Sequence, residues 1–315
     1  MNSAPAAGTE PTTAAPAIAT YGLCKSYGSF QALSNVDLRV PAGALFGFLG
    51  PNGAGKSTTI RTLLGLLKPT GGHAEILGLE TWKHGTNVRR EVGYLPGDVR
   101  FYDHLRGRAV LAIFDRARGG RSKAEIQRLA ERFELPLNKR VRDYSRGMKQ
   151  KLGLIQALMH KPRVLILDEP TTALDPLMRE VLCSELRQVA ADGRTVLFSS
   201  HTLREVEELC DEVAILRKGR LVEQQRIEVL QKRAVRHVSV KFDPARDLPQ
   251  QTPPGFRTTE RAGTLWRGTW AGPIQNLLDW LRAQPVLDVT IAPPDLEELF
   301  LTFYGDRNDP PGGAA

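Results

Sequence analysis

Two short stretches carry residue types suited to work on a phosphorylated substrate. The first is Gly50-Pro51-Asn52-Gly53-Ala54-Gly55-Lys56-Ser57, followed by Thr58. It fits the spacing G-x-x-x-x-G-K-[ST] at every fixed position. Glycines let such a loop turn tightly and aim its backbone N–H groups at phosphate oxygens. A helix starting at the lysine would add the positive end of its dipole. Lys56 is placed to reach the β- and γ-phosphates, and Ser57 to ligate Mg²⁺. The second stretch is Val164-Leu165-Ile166-Leu167-Asp168-Glu169, an apolar run ending in two carboxylates. Asp168 at its tip would hold the metal, directly or through water. Glu169 has the chemistry of a general base for an attacking water. Acids at strand ends also serve as helix caps, and the glycine loop upstream is what favours the metal.

These groups need a rigid frame, and the sequence pattern describes one. Ala44–Leu49, Val164–Leu167, Thr195–Phe198 and Val213–Leu216 are short apolar runs of the kind that form buried parallel strands. Helical patterns follow at Thr58–Leu67 and Pro176–Ala191. This alternation predicts an α/β domain over residues 20–227. Residues 99–161 lack strand character and read as an inserted set of helices with basic faces. From 228 to 305 the character changes to a small α+β unit, with strands at His237–Phe242 and Thr264–Trp270 and helices at Ile274–Ala283 and Asp295–Tyr304. Three of the four tryptophans, Trp266, Trp270 and Trp280, fall there and supply bulk for a second core. Residues 1–19, rich in Ala, Pro and Thr, and residues 306–315 read as disordered tails.

Four further segments, with the two above, carry a family resemblance. Tyr144-Ser145-Arg146-Gly147-Met148 precedes a helix-like run, Ala173-Leu174-Asp175 follows the acidic strand, and His201 ends the run Phe198-Ser199-Ser200-His201. Tyr27 lies upstream of the glycine loop. In order and spacing these resemble the ATP-binding subunit of bacterial ABC transporters, over about Ala19 to Gln225. Each segment also has a plain structural use: Ser145 and Asp175 suit helix starts, and His201 suits a cap. The tail segment Pro294–Phe300 and the run Tyr94-Leu95-Pro96-Gly97-Asp98 are similar to the branch that exports drugs, lipids and polysaccharides.

The resemblance implies a P-loop cassette with a helical insertion that binds ATP and Mg²⁺. It implies a head-to-tail homodimer in which Ser145, Arg146, Gly147 and Met148 of one copy close over nucleotide held by Lys56 and Ser57 of the other. Tyr27 would stack on adenine, Asp175 would belong to the D-loop, and His201 would contact the γ-phosphate. Two segments depart from the family. Arg146 and Met148 stand where the L-S-G-G-Q signature has glycine and glutamine. The glutamine usual after Tyr94-Leu95-Pro96 is missing. Either Asp98 substitutes for it as a metal-facing group, or no residue fills that role.

Composition narrows the setting. The 315 residues carry a net charge of +8, with 43 basic and 35 acidic side chains. From Val99 to Lys151 there are 15 basic and 6 acidic residues, so this segment holds the whole excess. No run approaches the roughly 20 apolar residues that cross a bilayer, and no secretory leader is visible. The three cysteines, Cys24, Cys183 and Cys210, fit neither a disulfide framework nor paired zinc ligands and suit a reducing compartment. The implied function is ATP hydrolysis that drives export through a separate membrane permease, at the inner face of the cell membrane. The alternative is a cassette acting on nucleic acid or ribosomes. The lack of coiled-coil heptads, zinc-spaced cysteines and a second glycine loop disfavours it, and no direct nucleic-acid partner is expected.

Overall fold

Contacts divide the chain into two units between Gln224 and Gln225, just before the boundary expected from sequence. The computed structural model describes residues 15–294 together with Leu296 and Phe300. The tail at 306–315 and most of the helix expected at Asp295–Tyr304 lie outside these residues. Residues 17–19, which the sequence placed in an N-terminal tail, are instead part of the folded unit. Ala17, Ile18 and Ala19 are buried, and Ile18 and Ala19 already belong to a strand, because their apolar side chains join the core.

The first unit opens with β1 (Ile18–Tyr27), β2 (Phe30–Val36) and β3 (Arg39–Val40), then β4 (Leu45–Leu49), α1 (Lys56–Leu63), β5 (Gly71–Ile76) and β6 (Leu79–Glu80). β1, β2, β3, β5 and β6 form a five-stranded antiparallel sheet that sequence pattern did not reveal. Its strands are short or interrupted by polar residues: β1 reads IATYGLCKSY with a register shift after Tyr21. The chain continues through α2 (Gly85–Glu91), β7 (Val92–Leu95), α3 (Gly107–Ala117), α4 (Lys123–Arg132), α5 (Arg146–Leu158), β8 (Val164–Asp168), α6 (Pro176–Ala191), β9 (Thr195–Ser200), α7 (Leu203–Leu209), β10 (Glu212–Arg217) and β11 (Arg220–Arg226).

The second sheet has the order β11-β10-β4-β9-β8-β7. β10, β4, β9, β8 and β7 pair in parallel. Every residue of β4, β8 and β9 is buried, as expected for parallel strands covered on both faces. One apolar core joins the two sheets. Ile18 and Leu23 of the first pack with Phe46, Phe48 and Ile166 of the second and with Ile60 of α1. The ends of β4, β8 and β9 lie side by side, with Leu49 opposite Ser200 and Asp168 opposite Ser199. This register fixes the site.

The helices α3, α4 and α5 form the insertion between β7 and β8. One ion-pair group ties α4 to α6. Arg128 spans to Glu185 with both terminal nitrogens, Nη1 bonding Oε2 at 3.2 Å and Nη2 bonding Oε1, and also donates to Glu125. Glu185 is 6% exposed. Its carboxylate is the first cause of the upward shift in the Arg128 pKa, followed by Glu125.

The second unit holds α8 (Ile227–Arg233), β12 (Arg236–Phe242), β13 (Phe256–Ala262), β14 (Leu265–Trp270), α9 (Ile274–Arg282) and β15 (Val286–Pro294). Its sheet is antiparallel with the order β13-β14-β12-β15. Alternation puts Val238, Val240 and Phe242 of β12 on one face, where they pack with Trp266, Trp270 and, from α9, Leu277 and Leu281. Phe242 meets the Trp266 ring edge-on at 4.9 Å.

Leaving a buried carboxylate unpaired costs more than removing the pair. Arg128→Met leaves Glu185 only Arg132 among the described residues, 3.9 Å away, and is expected to lower stability by about 1–3 kcal/mol, measured by urea unfolding. The double change Arg128→Met with Glu185→Leu is expected to recover most of that loss.

Candidate nucleotide site

The glycine loop lies between the end of β4 and the start of α1. Gly55 caps α1 at φ 107°, a left-handed conformation that side chains other than glycine's avoid. A methyl there would also lie 2.8 Å from Leu33 Cδ2. The helix then begins at Lys56, so the lysine is carried into the interior and is 5% exposed. Its Nζ donates to the carbonyl oxygens of Gly50 at 2.6 Å and Pro51 at 3.3 Å and sits 3.6 Å from Glu169 Oε1. Burial lowers the Lys56 pKa; the charges of Glu169 and Asp168 oppose that shift.

Asp168, at the tip of β8, is buried and bonded on both carboxylate oxygens. Ser57 Oγ donates to Oδ2 at 2.8 Å and Ser199 Oγ donates to Oδ1 at 2.6 Å. Glu169 follows with φ 50°, an uncommon conformation for a residue with a side chain. Its N–H bonds the Ser199 carbonyl at 3.2 Å and Ser199 Oγ at 3.1 Å. The Glu169 carboxylate also lies 3.4 Å from His201 Nδ1, beyond the end of β9. Lys56, Ser57, Asp168, Glu169 and His201 therefore form one connected polar group built from three neighbouring strand ends.

Tyr27 is 48% exposed at the end of β1, with Lys25 Nζ 5.1 Å from its ring centroid. Ser145 caps α5, its Oγ accepting from Met148 N–H at 3.2 Å, and Arg146 is exposed. Gly147 lies against the loop after β8: a methyl on it would come within 2.6 Å of the Ala173 carbonyl oxygen. Asp175 caps α6, accepting from Met178 N–H at 3.0 Å. Asp98 is turned outward, with Oδ2 2.7 Å from Arg100 Nη2. The residue beside Asp168 is Gly97, whose added methyl would lie 3.6 Å from Asp168 Oδ2. The Asp98 carboxylate thus pairs with Arg100 on the outer surface, and Gly97 is the residue of this run that lies against Asp168.

Two positioning residues were not legible beforehand. Ser199 holds both Asp168 and the Glu169 backbone, and only its place before His201 hinted at it. Gln150 on α5 donates to the carbonyl oxygens of Glu169 at 3.4 Å and Pro170 at 3.1 Å. Its sequence setting gave no signal, since the bond crosses from the helical insertion to the acidic strand.

Residues 33–172 match the ABC transporter family. A bacitracin transport ATP-binding protein of Bacillus licheniformis is 40% identical over 69% of this chain and 72% of its own length. This chain belongs to the ABC transporter ATP-binding proteins. An ABC transporter ATP-binding protein of Synechocystis is 32% identical over 96% of this chain and 88% of its own. A daunorubicin resistance ATP-binding protein of Streptomyces coeruleorubidus is 39% identical over 65% and 67%. The solved ATP-binding subunit of an ABC transporter superposes with a TM-score of 0.64 at 31% identity, covering 68% of this chain and 92% of that one. The α/β cassette and its ATPase activity are thus those of the family.

Lys56→Ala removes a charged donor from the candidate phosphate site. Such bonds contribute about 1.5–3 kcal/mol each, so ATP affinity is expected to fall roughly 10–100-fold in a fluorescent-nucleotide titration. Gly147→Ala should force the Ala173 carbonyl aside and cost about 1–3 kcal/mol in urea unfolding.

Proposed function

We propose that this chain hydrolyses ATP as a head-to-tail dimer and thereby drives export through a separate permease, from the inner face of the cell membrane. The connection of Lys56, Glu169 and His201 through one carboxylate, beside the Ser57–Asp168 pair, carries this reading. The described residues include no helix long and apolar enough to cross a membrane, so the translocation path is assigned to another chain. The export direction is supported by the resemblance of the Tyr94–Asp98 run and the 294–300 segment to drug, lipid and polysaccharide exporters.

On arrival of ATP, Lys56 exchanges the Gly50 and Pro51 carbonyls for β- and γ-phosphate oxygens. The loop N–H groups and the start of α1 hold the same phosphates. Ser57 and Asp168 offer hard oxygen donors, the type Mg²⁺ takes when phosphates and water complete its shell, and they would hold it. Bound there, Mg²⁺ would neutralise charge on the β- and γ-phosphates. Glu169 accepts a proton from a water as its oxygen attacks the γ-phosphorus. The bond from γ-phosphorus to the bridging oxygen breaks, giving ADP and phosphate. His201 steadies the Glu169 carboxylate and faces the γ-phosphate. Ser145 and Gly147, together with the flanking Arg146 and Met148, serve the nucleotide of the second copy. Tyr27 covers the adenine, and Asp175 places the loop between the two sites.

General bases contribute about 10²–10⁴-fold. Glu169→Gln should lower hydrolysis by that order while leaving ATP bound, so size-exclusion chromatography with ATP should show dimers. A variant that stays monomeric with undiminished hydrolysis would overturn the proposal.

A further inference from the structure

One face of α5 meets the loop after β8 at two points. Gly147 and Gln150 stand three residues apart on the helix, so they share that face. Gly147 lies against the Ala173 carbonyl. Gln150 is 6% exposed, and its Nε2 donates to the carbonyl oxygens of Pro170 at 3.1 Å and Glu169 at 3.4 Å. A side-chain amide has two N–H donors, and this loop takes both. The other buried side chains of α5 are apolar. A buried amide is costly unless it is bonded, so an apolar side chain of similar length would pack here at less cost. What the amide adds is a hold on two consecutive peptide groups.

Those peptide groups set where Glu169 points. Glu169 has φ 50° and Ala173 has φ 66°, conformations uncommon for residues with side chains. Between them Thr172 N–H bonds the Glu169 carbonyl at 3.2 Å and Leu174 N–H bonds the Thr171 carbonyl at 3.1 Å. Ser199 Oγ accepts from the Glu169 N–H on the other side. The backbone of Glu169 is thus held from β9 and from α5, and together they aim its carboxylate at Lys56 and His201. Displacing a reacting group by 1 Å lowers a rate by as much as about 100-fold.

The helix that carries Gln150 has its cap at Ser145, roughly 8 Å away along the axis. Ser145 and Arg146 are exposed there. In the proposed dimer the start of α5 meets the nucleotide held by the second copy, whereas Glu169 acts on the nucleotide held by its own. A packed helix carries a displacement along its length as a rigid element. We propose that Gln150 is a positioning residue that makes the general base of each copy answer to the nucleotide bound by the other. Nucleotide under the start of α5 fixes the helix. Gln150 passes that position to the peptide groups of Glu169 and Pro170, and the Glu169 carboxylate is aligned. Each copy therefore hydrolyses ATP well only when both sites are filled. The inference rests on the head-to-tail reading and goes beyond it by naming the residue that links the two sites.

The test is a double-mutant cycle between copies. A trace of hydrolysis-competent full-length chain is mixed with saturating partner chain silenced by Glu169→Gln, so that mixed dimers supply the hydrolysis. The competent chain carries Gln150 or Gln150→Met. The partner carries Lys56 or Lys56→Ala, at an ATP concentration that leaves the Lys56→Ala copy empty. With Gln150 present, emptying the partner should lower turnover about 10–100-fold. Gln150→Met should lower kcat by a similar factor with the partner filled, while KM for ATP stays the same. Emptying the partner of that variant should then change turnover by no more than about twofold. Gln150→Asn, whose amide sits on a shorter stem, should act in the same direction, and urea unfolding shows that both variants remain folded. Turnover unaltered by either Gln150 variant, or losses from the Gln150 and partner Lys56 changes that simply multiply, would overturn the proposal. Absence of ATP-dependent dimers of the Glu169→Gln chain would overturn the head-to-tail reading itself, and this inference with it.

Discussion

The site depends on the buried carboxylate of Asp168. A charge taken from water is costly unless it is fully bonded, and Asp168 has a hydroxyl on each oxygen, from Ser57 and Ser199. Those serines come from distant parts of the sequence and reach it only if α1 follows β4, and β9 pairs with β8, in the observed register. A slip of one residue in the β8–β9 pairing would turn alternate side chains to the opposite face. The requirement to satisfy one acid thus constrains the strand ends that carry the glycine loop, Glu169 and His201.

Glu169 uses the same frame differently. Its left-handed backbone is held by Ser199 on the N–H side and by Gln150 on the carbonyl side. Its carboxylate faces Lys56 and His201. Strain of this kind persists where the surroundings fix it. Because Gln150 belongs to α5, the helix begun by Ser145 and Gly147 is tied directly to the proposed general base. Gly147 adds a second tie against Ala173, and Arg128 with Glu185 a third between α4 and α6. A shift of α5 would therefore be felt at Glu169 and Pro170 through Gln150.

Charge is used in two ways. Near the glycine loop the charged groups are few and mutually bonded, with Lys56 and Asp168 buried, and the positive end of α1 adds to them. On the helical insertion the basic groups are many and exposed, and several lack partners. The first arrangement suits recognition of a single phosphate chain; the second lies on the exposed surface of the insertion.

The glycine loop, the acidic strand end and the apolar runs of β4, β8, β9 and β10 were legible in the sequence. Each is a local pattern in which a few residue types must occur at fixed spacing for the backbone and side chains to work. The antiparallel sheet of β1, β2 and β5 was not legible, because its strands mix polar residues, glycines and register shifts. Nor were Ser199 and Gln150, whose roles exist only through bonds across elements, or the outward turn of Asp98, which follows from its pairing with Arg100 while Gly97 takes the place beside Asp168. By itself the sequence determined which kind of fold the chain adopts and which groups are candidates to bind phosphate. Tertiary structure alone decided how the acids are held and where the basic side chains face, because both depend on which distant segments are brought within bonding distance.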